Sequence, residues 1–183
     1  MIDERSLLAA IKDAWRTGGY SVVGNGGELV LQGSGWLAVL PRGIVPRKVL
    51  ALLVEHLGEI PDAAAWKVYK KQGAQAQMVD MALEAVDMAL EAVDTIRREL
   101  EGEPNPREAH RTAMTWKNWE IWQTEDLKVA TFDPALAAMG VGDAMAYGRR
   151  LVWDDEGGLL VVAPRRDDIE DALRQRLEQL PLA

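Results

Sequence analysis

Acidic side chains recur at a regular spacing in the middle of the chain. Two tandem copies of the heptad VDMALEA occupy residues 79–92. On a helix, carboxylates three and four residues apart line one edge. The set that follows this spacing is Asp80, Glu84, Asp87, Glu91 and Asp94, which we name the acidic ribbon. Like charges at this spacing destabilise a helix by about 0.2–0.5 kcal/mol per pair, and no lysine or arginine lies within residues 72–96 to offset them.

Two interpretations of the acidic ribbon remain open. It is either a solvated helix face copied by heptad duplication or a contact surface for a basic partner. One helical turn rises about 5.4 Å, which is near the roughly 6–7 Å between successive phosphates of a nucleic-acid strand. A ribbon with this spacing would fit a groove that is built for nucleic acid. We therefore predict that the ribbon binds the basic surface of a target protein.

The two motifs Glu84-x-x-Asp87 and Glu91-x-x-Asp94 resemble the paired acidic motifs of magnesium-dependent nucleotide pyrophosphohydrolases. The resemblance implies a magnesium-dependent nucleotide hydrolase. Those enzymes carry the two pairs on different helices, so that the carboxylates converge on the metal. Here both pairs would lie along one helix, whereas magnesium requires near-octahedral convergence. We expect a protein that is not an enzyme and has no cofactor.

The remaining residues with chemical potential are two histidines and a group of tryptophans. His56 and His110 have no companions at metal-ligand spacing, so no metal site is expected. Trp116, Trp119 and Trp122 either fill a core or anchor a partner. Strand alternation places Trp119 on one face and Trp122 on the other, and we predict that Trp122 is exposed and binds the partner.

The first half of the chain predicts a helix, a three-stranded meander and a second helix. Apolar residues at helical spacing occupy 3–17 and 45–57, and short apolar runs separated by glycines lie between them. The runs are 20–23, 28–32 and 36–40. Residues 66–70 are a candidate for a further strand.

The segment 74–101 contains no glycine and no proline, and it is rich in Ala, Leu, Glu and Met. It predicts one long central helix. An apolar seam on this helix would be formed by Leu83, Val86, Leu90 and Val93. Two alternatives remain open: the seam is buried within the subunit, or it forms a homodimer through the helix at 76–100.

The string EPNP at 103–106 is the best linker candidate and divides the chain into 1–102 and 103–183, which we expect to share one core. The second half predicts strands, a helix that starts at Pro134 and runs to about Tyr147, and a last helix. The strands form two hairpins, 116–123 with 127–132 and 150–154 with 159–163, and the last helix covers 167–180.

An internal repeat links the two halves. GWLAVLPR at 35–42 matches GLLVVAPR at 158–165 at five of eight positions. Each string follows a strand-like run across a glycine turn and precedes a predicted helix. The sequence therefore predicts an α+β fold with two diverged β-turn-β-α units, antiparallel hairpins, flanking helices and one long central helix. The functional alternative is a pair of equivalent ligand sites at Arg42 and Arg165.

Charge and composition narrow the class of function. The net charge is −8, which argues against general nucleic-acid binding and permits a basic partner. The chain has no cysteine, no apolar run that could span a membrane and no basic start typical of a signal peptide. We expect a cytoplasmic protein that docks on a basic, nucleic-acid-binding surface of a target and inhibits it. Anti-CRISPR and other phage-borne inhibitors are proteins of this general class.

A second hypothesis rests on the order of elements. Over about the first 60 residues, the order helix, three-stranded meander, helix is similar to that of type III secretion chaperones, which are small, acidic and dimeric. The resemblance implies a protein that holds partly unfolded effectors. The long central helix departs from that pattern.

Overall fold

The computed structural model describes residues 1–62, 64–70, 76–80, 83–102, 107–165 and 171–181. Its strands form one antiparallel sheet, and helices pack on the sheet, which confirms the α+β class. The strands are β1 (Tyr20–Gly24), β2 (Glu28–Gly33), β3 (Trp36–Pro41), β4 (Ala65–Lys70), β5 (Ala76–Asp80), β6 (Arg107–Trp116), β7 (Trp119–Thr124), β8 (Val129–Phe132), β9 (Ala144–Tyr147), β10 (Arg150–Asp155) and β11 (Gly158–Val162). The helices are α1 (Glu4–Thr17), α2 (Arg47–Leu57), α3 (Leu83–Gly102), α4 (Pro134–Ala137) and α5 (Asp171–Leu177).

The two faces of the sheet carry separate layers. The strand order is β5-β4-β1-β2-β3-β11-β10-β9-β6-β7-β8. Helices α1, α2 and α4 contribute to the larger core, on the face that also buries Leu31 and Leu160. Helix α3 covers the opposite face at the centre of the sheet, where Val39 and Val152 are buried. None of the described helices is both long enough and apolar enough to cross a membrane.

Local sequence explains the first helix. Asp3 is its N-cap, because the Asp3 carboxylate accepts a hydrogen bond from the Ser6 backbone N–H at 2.7 Å. Leu7 and Ile11 lie one turn apart and are fully buried against the sheet. Gly18 ends the helix by donating its N–H to the Ala14 carbonyl. The prediction of a helix over 3–17 is confirmed.

The repeated strings lie side by side at the centre of the sheet. Trp36 pairs with Val162, and Val39 pairs with Leu159. In the alignment of the two strings, Trp36 corresponds to Leu159 and Val39 to Val162. The β3–β11 ladder is therefore self-complementary, as it would be across a two-fold axis.

The neighbouring strands have the same order on the two sides of this ladder. The meander β1-β2-β3 lies on one side of the axis and the meander β9-β10-β11 on the other. Each meander follows a helix, α1 or α4, and each precedes another, α2 or α5. The outer neighbours β4 and β6 both pair antiparallel with the first strand of a meander.

The long central helix is shorter than predicted. The prediction of one helix over 74–101 is wrong at its start, because residues 76–80 form β5 and α3 begins at Leu83. Strand β5 pairs with β4 and satisfies backbone groups that would otherwise be open at the edge of the sheet. Pairing of this kind outweighs helix propensity, which is at most about 0.7 kcal/mol per ordinary residue.

In the second half of the chain, the structure differs from the sequence-based prediction at two elements. The predicted helix from Pro134 to Tyr147 starts as expected, with Asp133 as its N-cap, but its predicted end is wrong, because α4 ends at Ala137 and residues 144–147 form β9 between β10 and β6. Strand β6 was not predicted. It forms a hairpin with β7 through Lys117 and Asn118, whose positive φ angles of 48° and 70° suit a two-residue turn.

The remaining hairpins agree with the sequence-based expectation, since β7 pairs with β8 and β10 pairs with β11. The division of the chain into 1–102 and 103–183 stays a prediction. The sheet runs through both segments, because β3 of the first pairs with β11 of the second.

Candidate functional site

Helix α3 carries most of the acidic ribbon, and its inner face is bound to the sheet. Val93 is 1% exposed and packs in the core that contains Val39 and Val161. Leu90 packs beside it and is half-buried. These two residues belong to the apolar seam, so a homodimer through them would require α3 to leave the sheet. The homodimer therefore gains no support from this packing.

The outer edge of α3 carries Glu91 and Asp94, and both are exposed. Among the described residues, neither forms an ion pair. Glu84 and Asp87 belong to the same helix, but their side chains lie outside the described part. Asp80 does not belong to the helix: it ends β5, opposite Trp66. The acidic ribbon is thus broken, and its helical members are Glu84, Asp87, Glu91 and Asp94.

One ion pair anchors α3 to the sheet close to Asp94. The Arg97 guanidinium donates two hydrogen bonds to the Glu28 carboxylate, at 2.8 and 3.3 Å, and both side chains are about two-thirds to three-quarters buried. The hydrogen bond from Glu28 raises the pKa of Arg97. Burial raises the pKa of the nearby Asp154 carboxyl, which Arg97 partly offsets. This pair fixes α3 and, through it, the direction in which Glu91 and Asp94 point.

A groove of about 640 Å³ runs between α3 and the sheet. Glu91 and Ile96 form part of one wall, and Tyr147 and Arg150 form part of the other. The Arg150 guanidinium lies 5.8 Å from the centre of the Tyr147 ring. Glu91 therefore belongs both to the exposed acidic edge and to a groove with an aromatic and apolar lining.

The prediction that Trp122 is exposed is wrong. Trp122 is half-buried and packs edge-on against Phe132 and Trp153, with ring centres 6.4 and 6.1 Å away. Its indole N–H donates to the Glu120 carboxylate at 3.2 Å. Both faces of β7 are covered, because Ile121 packs with Val129 on the other side. Trp122 packs against the core, and its role in binding a partner stays a prediction.

Arg42 and Arg165 have unlike surroundings, so they do not form a pair of equivalent sites. Arg42 donates to the Pro61 carbonyl and pairs with Asp62 at 3.3 Å. The Arg165 guanidinium lies 4.4 Å from the centre of the Trp119 ring.

The sequence also missed one cluster of titratable side chains. Glu108 and His110 of β6 lie next to Glu125, which follows β7. The spacing Glu-x-His within one strand was visible, because alternate residues share a face. The contribution of Glu125 was not visible, since it depends on a hairpin that the sequence did not predict.

Comparison of the chain with protein-family models finds no match, and comparisons with curated proteins and with solved structures find none either.

Proposed function

We propose that this protein is a non-enzymatic binding protein that docks through α3 on a basic, nucleic-acid-binding surface of a target protein and inhibits it. The observation that carries the proposal is the position of Glu91. Its carboxylate is exposed, forms no ion pair with a described residue, and lies at a groove of about 640 Å³. A basic side chain of a partner would meet a carboxylate and an apolar lining at the same place.

The electrostatics of α3 support this proposal. Glu91 and Asp94 lie on one face of the helix, and Glu84 and Asp87 share that face by helical spacing. A surface with an excess of one charge steers an oppositely charged partner and raises the association rate. Because Val93 and the Arg97–Glu28 pair hold α3 on the sheet, little ordering of the helix would be required on binding.

Charge reversal tests the proposal. The double variant Glu91→Lys/Asp94→Lys is compared with wild type and with Glu59→Lys/Glu156→Lys, in which two exposed acids away from α3 are reversed. Proteins captured by each from a lysate of the native host are quantified at several salt concentrations. We expect a basic target that wild type and control retain, that the α3 variant loses, and that salt releases.

Equal retention of every captured protein by the α3 variant and the control would contradict docking through α3. The same result would leave the fold-based second candidate below untouched, because that candidate does not require this helix face.

The second candidate is a protein that holds extended, partly unfolded clients, as the resemblance to type III secretion chaperones implies. The observation that favours it is the two-fold relation between the meanders β1-β2-β3 and β9-β10-β11, which gives one chain the arrangement of a dimer. An extended client would bind as a peptide with weak salt dependence, whereas the acidic surface of α3 predicts a folded target and steep salt dependence. Salt titration of the captured complex separates the two candidates.

An enzyme remains the third candidate. The motifs Glu84-x-x-Asp87 and Glu91-x-x-Asp94 both lie on α3. Two pairs along one helix do not converge on one ion, whereas magnesium requires near-octahedral convergence. A screen of nucleotides and phosphoesters with magnesium is expected to show no turnover.

The cytoplasmic location belongs to the proposal, and localisation of a tagged copy in the host tests it.

A further inference from the structure

Strand β6 and the turn after β7 bring a histidine and two glutamates together. Glu108 and His110 are alternate residues of β6, so their side chains share a face. The β6–β7 register pairs Ala109 with Thr124, and Glu125 follows Thr124 in the turn after β7. One ligand atom from each of the three side chains lies within 4.8 Å of the other two.

The charges of this cluster are poorly balanced. Two carboxylates whose oxygen atoms lie this close together repel each other. Two cations close to these residues in sequence, Arg107 and Lys128, both pair with Asp126. The described partner of Glu108 is the His110 imidazole, with Nε2 3.7 Å from a carboxylate oxygen. A bound cation would relieve this repulsion.

We propose that Glu108, His110 and Glu125 form a binding site for a divalent first-row transition-metal ion, for which Zn²⁺ is the probe. The ligand set is one imidazole nitrogen and two carboxylate oxygens, and it differs from an all-oxygen set that would suit Mg²⁺ or Ca²⁺. Three protein ligands leave at least one coordination position for water. This inference is independent of the proposed function, since α3 takes no part in it.

The geometry requires a small closure of the side chains. Zn²⁺ binds nitrogen and oxygen at about 2.0–2.2 Å, so tetrahedral ligand atoms lie roughly 3.4 Å apart. The Glu108 and His110 side chains are 57% and 44% exposed and are free to rotate toward each other. The backbone beneath them is held by ladders on both sides, with β7 and with β9. The side chains can therefore close on an ion while the strands stay in place.

The chain offers a clean measurement, because it contains two histidines and no cysteine. His56 is 6% exposed and its Nδ1 is hydrogen bonded to the Tyr20 hydroxyl, so it serves as an internal reference. Zn²⁺ is titrated into the untagged full chain while the imidazole signals are followed by NMR. We expect the His110 signals to shift and the His56 signals to stay. The dissociation constant follows from the same titration.

Single substitutions then identify the ligands. His110→Ala should weaken Zn²⁺ binding by at least about tenfold, since loss of a mere outer-shell partner already costs 10–100-fold in metal proteins. Glu125→Gln should weaken it as well, whereas Glu99→Gln, which removes an exposed acid of α3, should not. Circular dichroism confirms that each variant is folded. Unshifted His110 signals in the presence of excess Zn²⁺, or wild-type affinity in His110→Ala, would overturn the proposal.

Discussion

Ala38 of β3 lies directly opposite Leu160 of β11, and both residues are fully buried. This pair joins the strands of the first half of the chain to those of the second. The core on one face of the sheet likewise contains residues of both halves, such as Leu31 and Leu151. Because the junction is buried and continuous, neither half can lose its strands without exposing apolar surface of the other.

Shortening a buried side chain at the junction of β3 and β11 should therefore destabilise the whole molecule. We expect Leu160→Ala to lower the free energy of unfolding by about 2–5 kcal/mol, because it removes a buried side chain and leaves a cavity. Urea unfolding should remain a single transition, with tryptophan fluorescence and circular dichroism coincident. Tryptophans on both sides, among them Trp36 and Trp153, report on both halves.

Val54→Ala is the control, since Val54 is 44% exposed and should change stability by no more than about 0.5 kcal/mol. Two separate transitions in wild type would show that the halves fold independently and would contradict a shared core.

A buried histidine should make stability depend on pH. His56 stacks on Trp15 with ring centres 4.2 Å apart and is hydrogen bonded to Tyr20 at 2.9 Å. Burial lowers the pKa of His56 below its usual 6.5. The unfolded chain therefore binds this proton more readily than the folded one. The stability that neutral His56 contributes is present above the unfolded value and is lost progressively as the pH falls below it.

Urea midpoints at pH 7.5 and at lower pH values down to about 5.5, a range chosen around the histidine pKa, measure this effect. His56→Phe keeps an aromatic ring beside Trp15 and should flatten the pH dependence, although it leaves the Tyr20 hydroxyl without its partner and lowers stability at every pH. An unchanged slope in His56→Phe would show that other groups cause it.

The ion pair between α3 and β2 is expected to stabilise the fold. Arg97 and Glu28 are 31% and 25% exposed and share two hydrogen bonds. Glu28→Gln should cost about 1–2 kcal/mol, because charge-assisted hydrogen bonds that are partly buried exceed surface pairs in strength. A double-mutant cycle with Arg97→Met isolates the interaction between the two side chains.

The pair Lys48–Glu4 provides the comparison. Its charged atoms are 3.9 Å apart, and its side chains are 79% and 41% exposed. A cycle on this pair should give a coupling energy close to zero. Equal coupling energies in the two cycles would mean that the Arg97–Glu28 pair stabilises the fold no more than an exposed surface pair does.

Features that local sequence determines were predictable. The cap at Asp3, the apolar spacing of α1 and the glycine turns between 20 and 41 indicate the helix and the meander without reference to the rest of the chain. The repeat strings at 35–42 and 158–165 indicated two related hairpins, and the structure pairs them with each other. Which strands would be neighbours did not follow, because pairing depends on contacts far apart in sequence.

The wrong predictions also concern features that depend on contacts far apart in sequence. Residues 76–80 have helix-forming composition, yet they form a strand because the edge of β4 is available. Asp80 therefore lies in a strand and not on the helix that carries the other members of the acidic ribbon. Trp122 was assigned to the exposed face because one side of a strand is commonly solvated, but here Phe132 and Trp153 cover it. The cluster around His110 depends on the register of a hairpin that ends in a lysine–asparagine turn, a weaker signal than Asn-Gly.

Close packing at Gly140 gives a last prediction. A Cβ atom at Gly140 would overlap the indole ring of Trp153, which is 3% exposed and held by a hydrogen bond from its N–H to the Gly142 carbonyl at 3.2 Å. Gly140→Ala should therefore displace Trp153 and lower the free energy of unfolding by about 1–3 kcal/mol. Gly43→Ala is the matched control, since nothing lies within 4 Å of the added atom. Urea midpoints measure the difference, and equal stability of the two variants would show that the Trp153 ring has room to move.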